Sequence, residues 1–176
     1  MINHGYQYWV LGHVHAREVV YDQGPYIVFP GNLQGRTIRE TGTKGATIVT
    51  VRDGQVVEMD HRPLDVLRWA LIEVDATESG DLGEVLAALR TELETTLDAA
   101  EGRTVAVRVR FTGVSAAHDE IVRDRETLRE AVRSLASDVS DRLWIEKVEA
   151  ATRPVLDRAA LRDRDDAIGE LLVDKI

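Results

Sequence analysis

The chain has 176 residues, no cysteine and a net charge of −9, which excludes a disulfide framework or thiolate metal site and leaves room for one domain or two small ones. Residues 1–62 balance six Lys/Arg against six Asp/Glu, whereas residues 63–176 set sixteen against twenty-five, so the second part is a poor stand-alone DNA clamp. No apolar run approaches membrane-spanning length and no basic-then-apolar leader opens the chain, so a cytoplasmic protein with no membrane association is expected.

The first expected element is a short buried strand at Tyr8–Leu11. It runs directly into Gly12-His13-Val14-His15, two imidazoles at a strand end, with a glycine expected to turn the backbone. Imidazole suits manganese, iron and zinc, so the spacing does not choose the metal. Tyr26–Phe29 is a second apolar strand. The loop Pro30–Glu40 follows it, with Gly31 and Gly35 allowing close backbone approach, and Asn32, Arg36 and Arg39 offering donors suited to phosphate. The bland alternative for this loop is a turn whose arginines pair with Glu18 or Glu40. Ala46–Val51 and Gln55–Asp60 flank Asp53-Gly54, a tight-hairpin signal, and His61-Arg62-Pro63 marks a boundary.

Beyond it strand and helix alternate. Trp69–Val74 is a strand, and Leu82–Ala100 a helix with an apolar stripe through Val85, Leu86, Leu89, Leu93 and Leu97. Val105, Val107, Val109 and Phe111 alternate with Arg108 and Arg110 as in a half-buried strand, the arginines balanced by nearby acids. Arg125–Ser137 is a helix and Leu143–Val148 a strand, giving β-α-β-α-β with helices on one face. Arg153-Pro154 ends this unit, and Ala159–Val173 patterns as an amphipathic helix. Trp9, Trp69 and Trp144 are expected in the core. His4 stands at the far end of its strand from His13, and His61 and His118 are expected as solvated linker and loop residues.

The run Gly5–Glu18 around Gly12-His13-Val14-His15 resembles the last metal-binding motif of calcineurin-like metallophosphoesterases. Pro25–Arg36 resembles the segment that follows that motif in the DNA-repair exonuclease branch, the SbcD-like nucleases. The likeness covers the first third of the chain and is architectural beyond it. The family's earlier motifs, Asp-x-His, Gly-Asp and Gly-Asn-His, do not precede residue 12, and Gly80-Asp81 lies in an expected helix start. The resemblance therefore implies the C-terminal portion of such an enzyme. In fold it is α+β, with residues 1–63 as the last β-strands of a metallophosphoesterase sandwich, residues 64–153 as a small capping domain, and 154–176 as a helix or tail.

The resemblance further implies that His13 and His15 each ligate one of two divalent metal ions, of manganese type, in the intact enzyme. Asn32, Arg36 and Arg39 would meet the substrate phosphate. No catalytic proton-transfer residue falls within this chain, which alone should be inactive. DNA is the implied substrate, an SbcC-like coiled-coil ATPase the implied partner, and a homodimer is consistent with the family. The alternative is a non-catalytic interaction module whose acidic α/β segment docks a protein partner.

Overall fold

The computed structural model describes residues 1–155, so the expected helix Ala159–Val173 lies outside the described residues. The N-terminal part opens with a 3-10 turn at Ile2–His4 and strand β1 (Tyr8–Val10). Strands β2 (Glu18–Tyr21) and β3 (Tyr26–Phe29) join it in a three-stranded sheet of order β1-β3-β2, parallel between β1 and β3 and antiparallel between β2 and β3. Strand β2 was not expected. Its three leading residues are all exposed, so it lacks the buried apolar alternation that marks a strand in sequence. Val10 at 64% and Val20 at 48% exposure leave this sheet with apolar surface facing outward.

Strands β4 (Gly45–Arg52) and β5 (Gln55–Pro63) form a separate two-stranded hairpin. Its turn is Asp53-Gly54, with φ of 50° and 75°, the paired positive dihedrals of a tight hairpin. Strand β5 runs through the expected boundary residues His61-Arg62-Pro63 and ends at Pro63, paired there with Gly45. His61 is thus a strand residue, half-buried, with a buried Nδ1 that lacks a hydrogen-bond partner among the described residues. Among those residues no helix is long and apolar enough to cross a membrane.

The second part is a parallel three-stranded sheet, order β6-β7-β9, built from β6 (Leu67–Asp75), β7 (Thr104–Thr112) and β9 (Leu143–Ala150). Helix α1 (Leu82–Ala99) crosses from β6 to β7. After β7 come a two-residue strand β8 (Val114–Ser115), helix α2 (His118–Arg123) and helix α3 (Arg125–Val139). The last described strand, β10 (Arg153–Pro154), pairs in parallel with β8. The residues expected to end the unit therefore stitch it shut. Asp81 caps α1 by accepting from Glu84 N at 2.9 Å, and Asp124 caps α3 by accepting from Glu126 N and Thr127 N.

One sheet face carries the core. Ile72, Val74, Val105, Val107, Val109, Phe111 and Ile145 pack against Val85, Leu89, Leu93, Leu128 and Val132, as the helical stripes require. Among the described residues no helix covers the opposite face, whereas crossover helices normally cover both faces of parallel strands. Trp144 stands there 58% exposed, correcting its expected place in the core. Even alternation put it on the face of Arg108 and Arg110, away from the helices.

Arg108 binds Glu146 through Nε and a terminal nitrogen, each at 2.8 Å. Arg110 binds Glu149 at 2.9 Å and Glu73 at 3.0 Å. The acids expected to balance these arginines are thus supplied by both neighbouring strands. His118, expected in a loop, is the first residue of α2 and shares a hydrogen bond with Thr152 Oγ1 at 2.9 Å. Its element is only 6 residues long, too short for a periodic pattern to show.

A buried ion cluster fastens the segment after β5 to the second part, and the Asp65 N–H donates back to Lys44 O at 3.2 Å. Asp65, 3% exposed, receives Arg68 Nε at 2.9 Å, and Arg103 Nε lies 3.2 Å from its other oxygen. Arg68 also donates to Ala99 O at 2.8 Å, at the end of α1, and to Glu101 at 2.7 Å. Removing the carboxylate would leave the buried Arg68 Nε without its acceptor, since Ala99 O and Glu101 hold only the terminal nitrogens. Asp65→Ala should therefore cost about 3–5 kcal/mol, read as a fall in denaturant midpoint; a change under about 1 kcal/mol, the scale of a surface pair, would show the cluster to be unimportant.

The open-face ladder gives a second expectation. Hydrogen bonds from Lys147 and Arg110 hold the Glu149 carboxyl down from 4.5 to about 2. Its ionised form is then fully stabilising above the upper value, and that contribution disappears as pH falls through the window between them. Thermal unfolding of Glu149→Gln should show a flatter loss of stability from about pH 4.5 to about pH 2 than the parent chain. An unchanged slope would place the acid sensitivity elsewhere.

Candidate functional site

The site forms where the chain leaves β1. Leu11 N donates to Val28 O at 2.8 Å, which keeps the strand pinned to β3 up to the Gly-His-Val-His turn. The expected role of Gly12 needs correcting: a side chain there would meet nothing within 4 Å, and its φ is not positive. The left-handed residue is His13, with φ of 82°. A non-glycine residue in that region is strained by contact between its Cβ and backbone, and such positions cluster where function over-determines the backbone. His13 is exposed.

His15 is held from three sides. Its carbonyl accepts from Asn32 N at 3.1 Å and from Lys44 Nζ at 3.5 Å. Gly31 lets the loop come this close: with φ of 77°, a Cβ there would lie 2.9 Å from Arg17 N and 3.0 Å from His15 O. On the imidazole, Nδ1 meets Glu40 Oε1 at 2.5 Å and a terminal nitrogen of Arg36 at 3.5 Å. Nε2 makes no hydrogen bond among the described residues, and the side chain is 48% exposed.

Glu40 is the hub. Its Oε2 accepts from Arg36 N at 2.7 Å and from Asn32 Nδ2 at 3.2 Å, and Arg36 lies 3.8 Å from Oε1. The backbone bond from Arg36, then the bond to His15, hold its carboxyl down to about 2. The sequence weighed Glu40 only as an ion-pair partner for the arginines, because 25 residues separate it from His15 and no local periodicity links them. Lys44, buried beneath the His15 carbonyl, was missed for the same reason.

The loop residues offered for phosphate divide. Asn32 and Arg36 join the His15 network, whereas Arg39 is exposed and contributes only its backbone N–H, to Thr37 Oγ1 at 3.3 Å. One Asn32 amide N–H is engaged by Glu40, while the Oδ1 is buried with no partner among the described residues. His4 packs edge-on against Trp9 with ring centroids 6.0 Å apart. It is occupied with that ring, before β1 and away from His15 in the chain.

The residues present fit one edge of a metal site and not a whole one. His15 offers Nε2 outward and His13 is exposed nearby in sequence, but among the described residues no group of three or more His, Cys, Asp or Glu converges on a common point. Paired ions about 3.5–4 Å apart need bridging oxygens that two imidazoles do not supply.

The loop is also fastened to the second part. Gln34 Nε2 donates to Leu67 O at 2.6 Å and its Oε1 accepts from Val66 N at 3.0 Å. Trp69 Nε1 donates to Gly35 O at 3.1 Å. A Cβ on Gly35 would lie 2.6 Å from Glu40 O and 3.1 Å from the Trp69 ring. A cavity of about 480 Å³ opens beside this junction, lined by Thr41, Thr43, Trp69, Leu71, Thr95 and Ala99 among others.

Comparison with known proteins bears on the second part. Residues 69–153 match the family model described as metallophosphoesterase YhaO, middle domain. The match begins at β6, downstream of His13, His15 and the Pro30–Glu40 loop. The chain is 40% identical over 82 residues to the uncharacterized metallophosphoesterase YhaO of Bacillus subtilis (strain 168). That alignment covers 47% of this chain and 20% of the relative, so the chain spans about a fifth of the relative's length. No solved structure matches. Both similarities are to proteins described as metallophosphoesterase YhaO, and residues 69–153 are similar to the middle domain of that family.

Proposed function

We propose that this chain forms part of a metal-dependent phosphodiesterase of the DNA-repair exonuclease type, in which His13 and His15 ligate the metals. The observation that carries the proposal is His15 itself: an imidazole in the β1–β2 connection whose Nδ1 is taken by a carboxylate while Nε2 has no partner among the described residues and Arg36 stands at 3.5 Å. Metal-bound histidines almost always spend their second nitrogen in this way. The similarity of residues 69–153 to a metallophosphoesterase middle domain supports the same reading from the other part of the chain.

Two divalent ions, of manganese type, would supply Lewis acidity and an activated water when bound in the intact enzyme. This chain's own contribution is narrower. His13 and His15 would hold the ions' edge, and the Arg36 guanidinium, mostly exposed beside His15, would receive a phosphate oxygen. Asn32 would set the loop through one amide N–H to Glu40 and its backbone N–H to the His15 carbonyl, and its second amide N–H would be the one to meet a phosphate oxygen. DNA is the proposed substrate and a coiled-coil ATPase of the SbcC type the proposed partner, with dimerisation of the nuclease as in that branch.

A second reading, a module that docks a protein partner without catalysis, draws on the open sheet face around Trp144. The two separate by assay. The purified chain should hydrolyse neither bis(p-nitrophenyl) phosphate nor duplex DNA with added manganese, because the carboxylate ligands are missing from its described residues. Joined to a polypeptide that supplies them, it should support manganese-dependent hydrolysis that His13→Ala or His15→Ala abolishes without lowering the melting temperature. Full activity in both variants would remove the phosphodiesterase assignment and leave the docking module.

A further inference from the structure

We infer that Glu40 is a positioning residue that fixes the tautomer of His15 and turns its Nε2 lone pair toward a divalent cation. The inference rests on the metal reading of His15 given above. It follows from counting donors. Glu40 Oε2 is approached by two groups that can only donate, Arg36 N–H at 2.7 Å and the Asn32 amide N–H at 3.2 Å. The carboxylate is therefore an acceptor throughout, and at Oε1 the imidazole must do the donating.

Arg36 pulls weakly the other way: its guanidinium can only donate and would prefer a bare Nδ1, but it stands at 3.5 Å, against 2.5 Å for Glu40 Oε1. The shorter contact, to the anionic acceptor, sets the proton. With the proton on Nδ1, Nε2 carries the lone pair, and no other described group competes for it. The bonds from Asn32 N and Lys44 Nζ to the His15 carbonyl fix the ring's root, and Glu40 fixes its rotation about that root.

A purely structural role for Glu40, closing the Asn32–Glu40 loop, would need only an acceptor for Arg36 N and Asn32 Nδ2. Glutamine can keep that acceptor. Its amide nitrogen, however, would face Nδ1 as a donor, forcing the imidazole to carry its proton on Nε2 and blocking the metal-facing atom. Glu40→Gln thus separates positioning from loop closure within one side chain.

The test uses the full chain, ¹⁵N-labelled at histidine, at alkaline pH well above the ordinary imidazole range of about 6.5. Long-range ¹H–¹⁵N spectra should show His15 as the Nδ1–H tautomer, switching to Nε2–H in Glu40→Gln with little change in melting temperature. Manganese added to the parent chain should broaden the His15 resonances, and Glu40→Gln should need about 10–100-fold more metal for the same broadening. Glu40→Asp, which keeps the charge on a shorter arm, should retain the parent tautomer, so a Gln variant that fails to fold does not end the test. An Nε2–H tautomer in the parent, or one that Glu40→Gln leaves unchanged, overturns the inference. Correct tautomers without any manganese broadening at His15 would instead overturn the metal reading on which it rests.

Discussion

The Glu40 carboxylate is the interaction on which the candidate site depends. It accepts from Arg36 N and Asn32 Nδ2 on one oxygen and meets His15 Nδ1 on the other, so one side chain closes its own loop and anchors a residue of the β1–β2 connection. Without it, the loop after β3 would have no side-chain connection to the imidazole apart from the longer Arg36 contact. The 14% exposure of the Glu40 side chain matters here, because bonds to a screened carboxylate are stronger than the same bonds in open water.

The second constraint is steric. Gly31 and Gly35 each stand where a Cβ would collide with backbone, at Arg17 and His15 in the first case and at Glu40 in the second. These contacts let a short loop pass under His15, turn at Glu40 and reach the Trp69 ring. The loop is thus clamped at three points, by His15, by Glu40 and by β6 through Gln34 and Trp69.

The sequence exposed those features that repeat locally and hid those that join distant residues. The α1 stripe was legible because Val85, Leu89 and Leu93 recur at helical spacing, and all are fully buried. The Asp53-Gly54 hairpin was legible because its turn chemistry lies in two adjacent residues. By contrast, β2 has no buried face to betray it, and α2 is a single short element between two others. Trp144 was misplaced because an aromatic residue in a strand suggests core, whereas the pleat puts it beside the charged ladder. At the site, the Gly-His-Val-His motif could be read directly, and Glu40 could not, since its role exists only once β1 and the following loop are brought together.

The same geometry joins the His15 turn and the α/β unit in one chain. Gln34 bonds both backbone groups near the start of β6, and Trp69 bonds Gly35 from within it. The start of β6 is in turn fixed by Arg68, which reaches Asp65, Ala99 and Glu101 together. Asp65 lies between the two parts, so the ion cluster sets where the parallel sheet begins relative to the hairpin that ends at Pro63. A displacement of β6 would pull Gly35, and a displacement of Gly35 would pull Glu40, whose carbonyl it faces at a distance too short for any Cβ. The rigid α/β core thereby supports the loop that supports His15. Its contribution to the His15 network is mechanical, through the contacts of Gln34, Gly35 and Trp69.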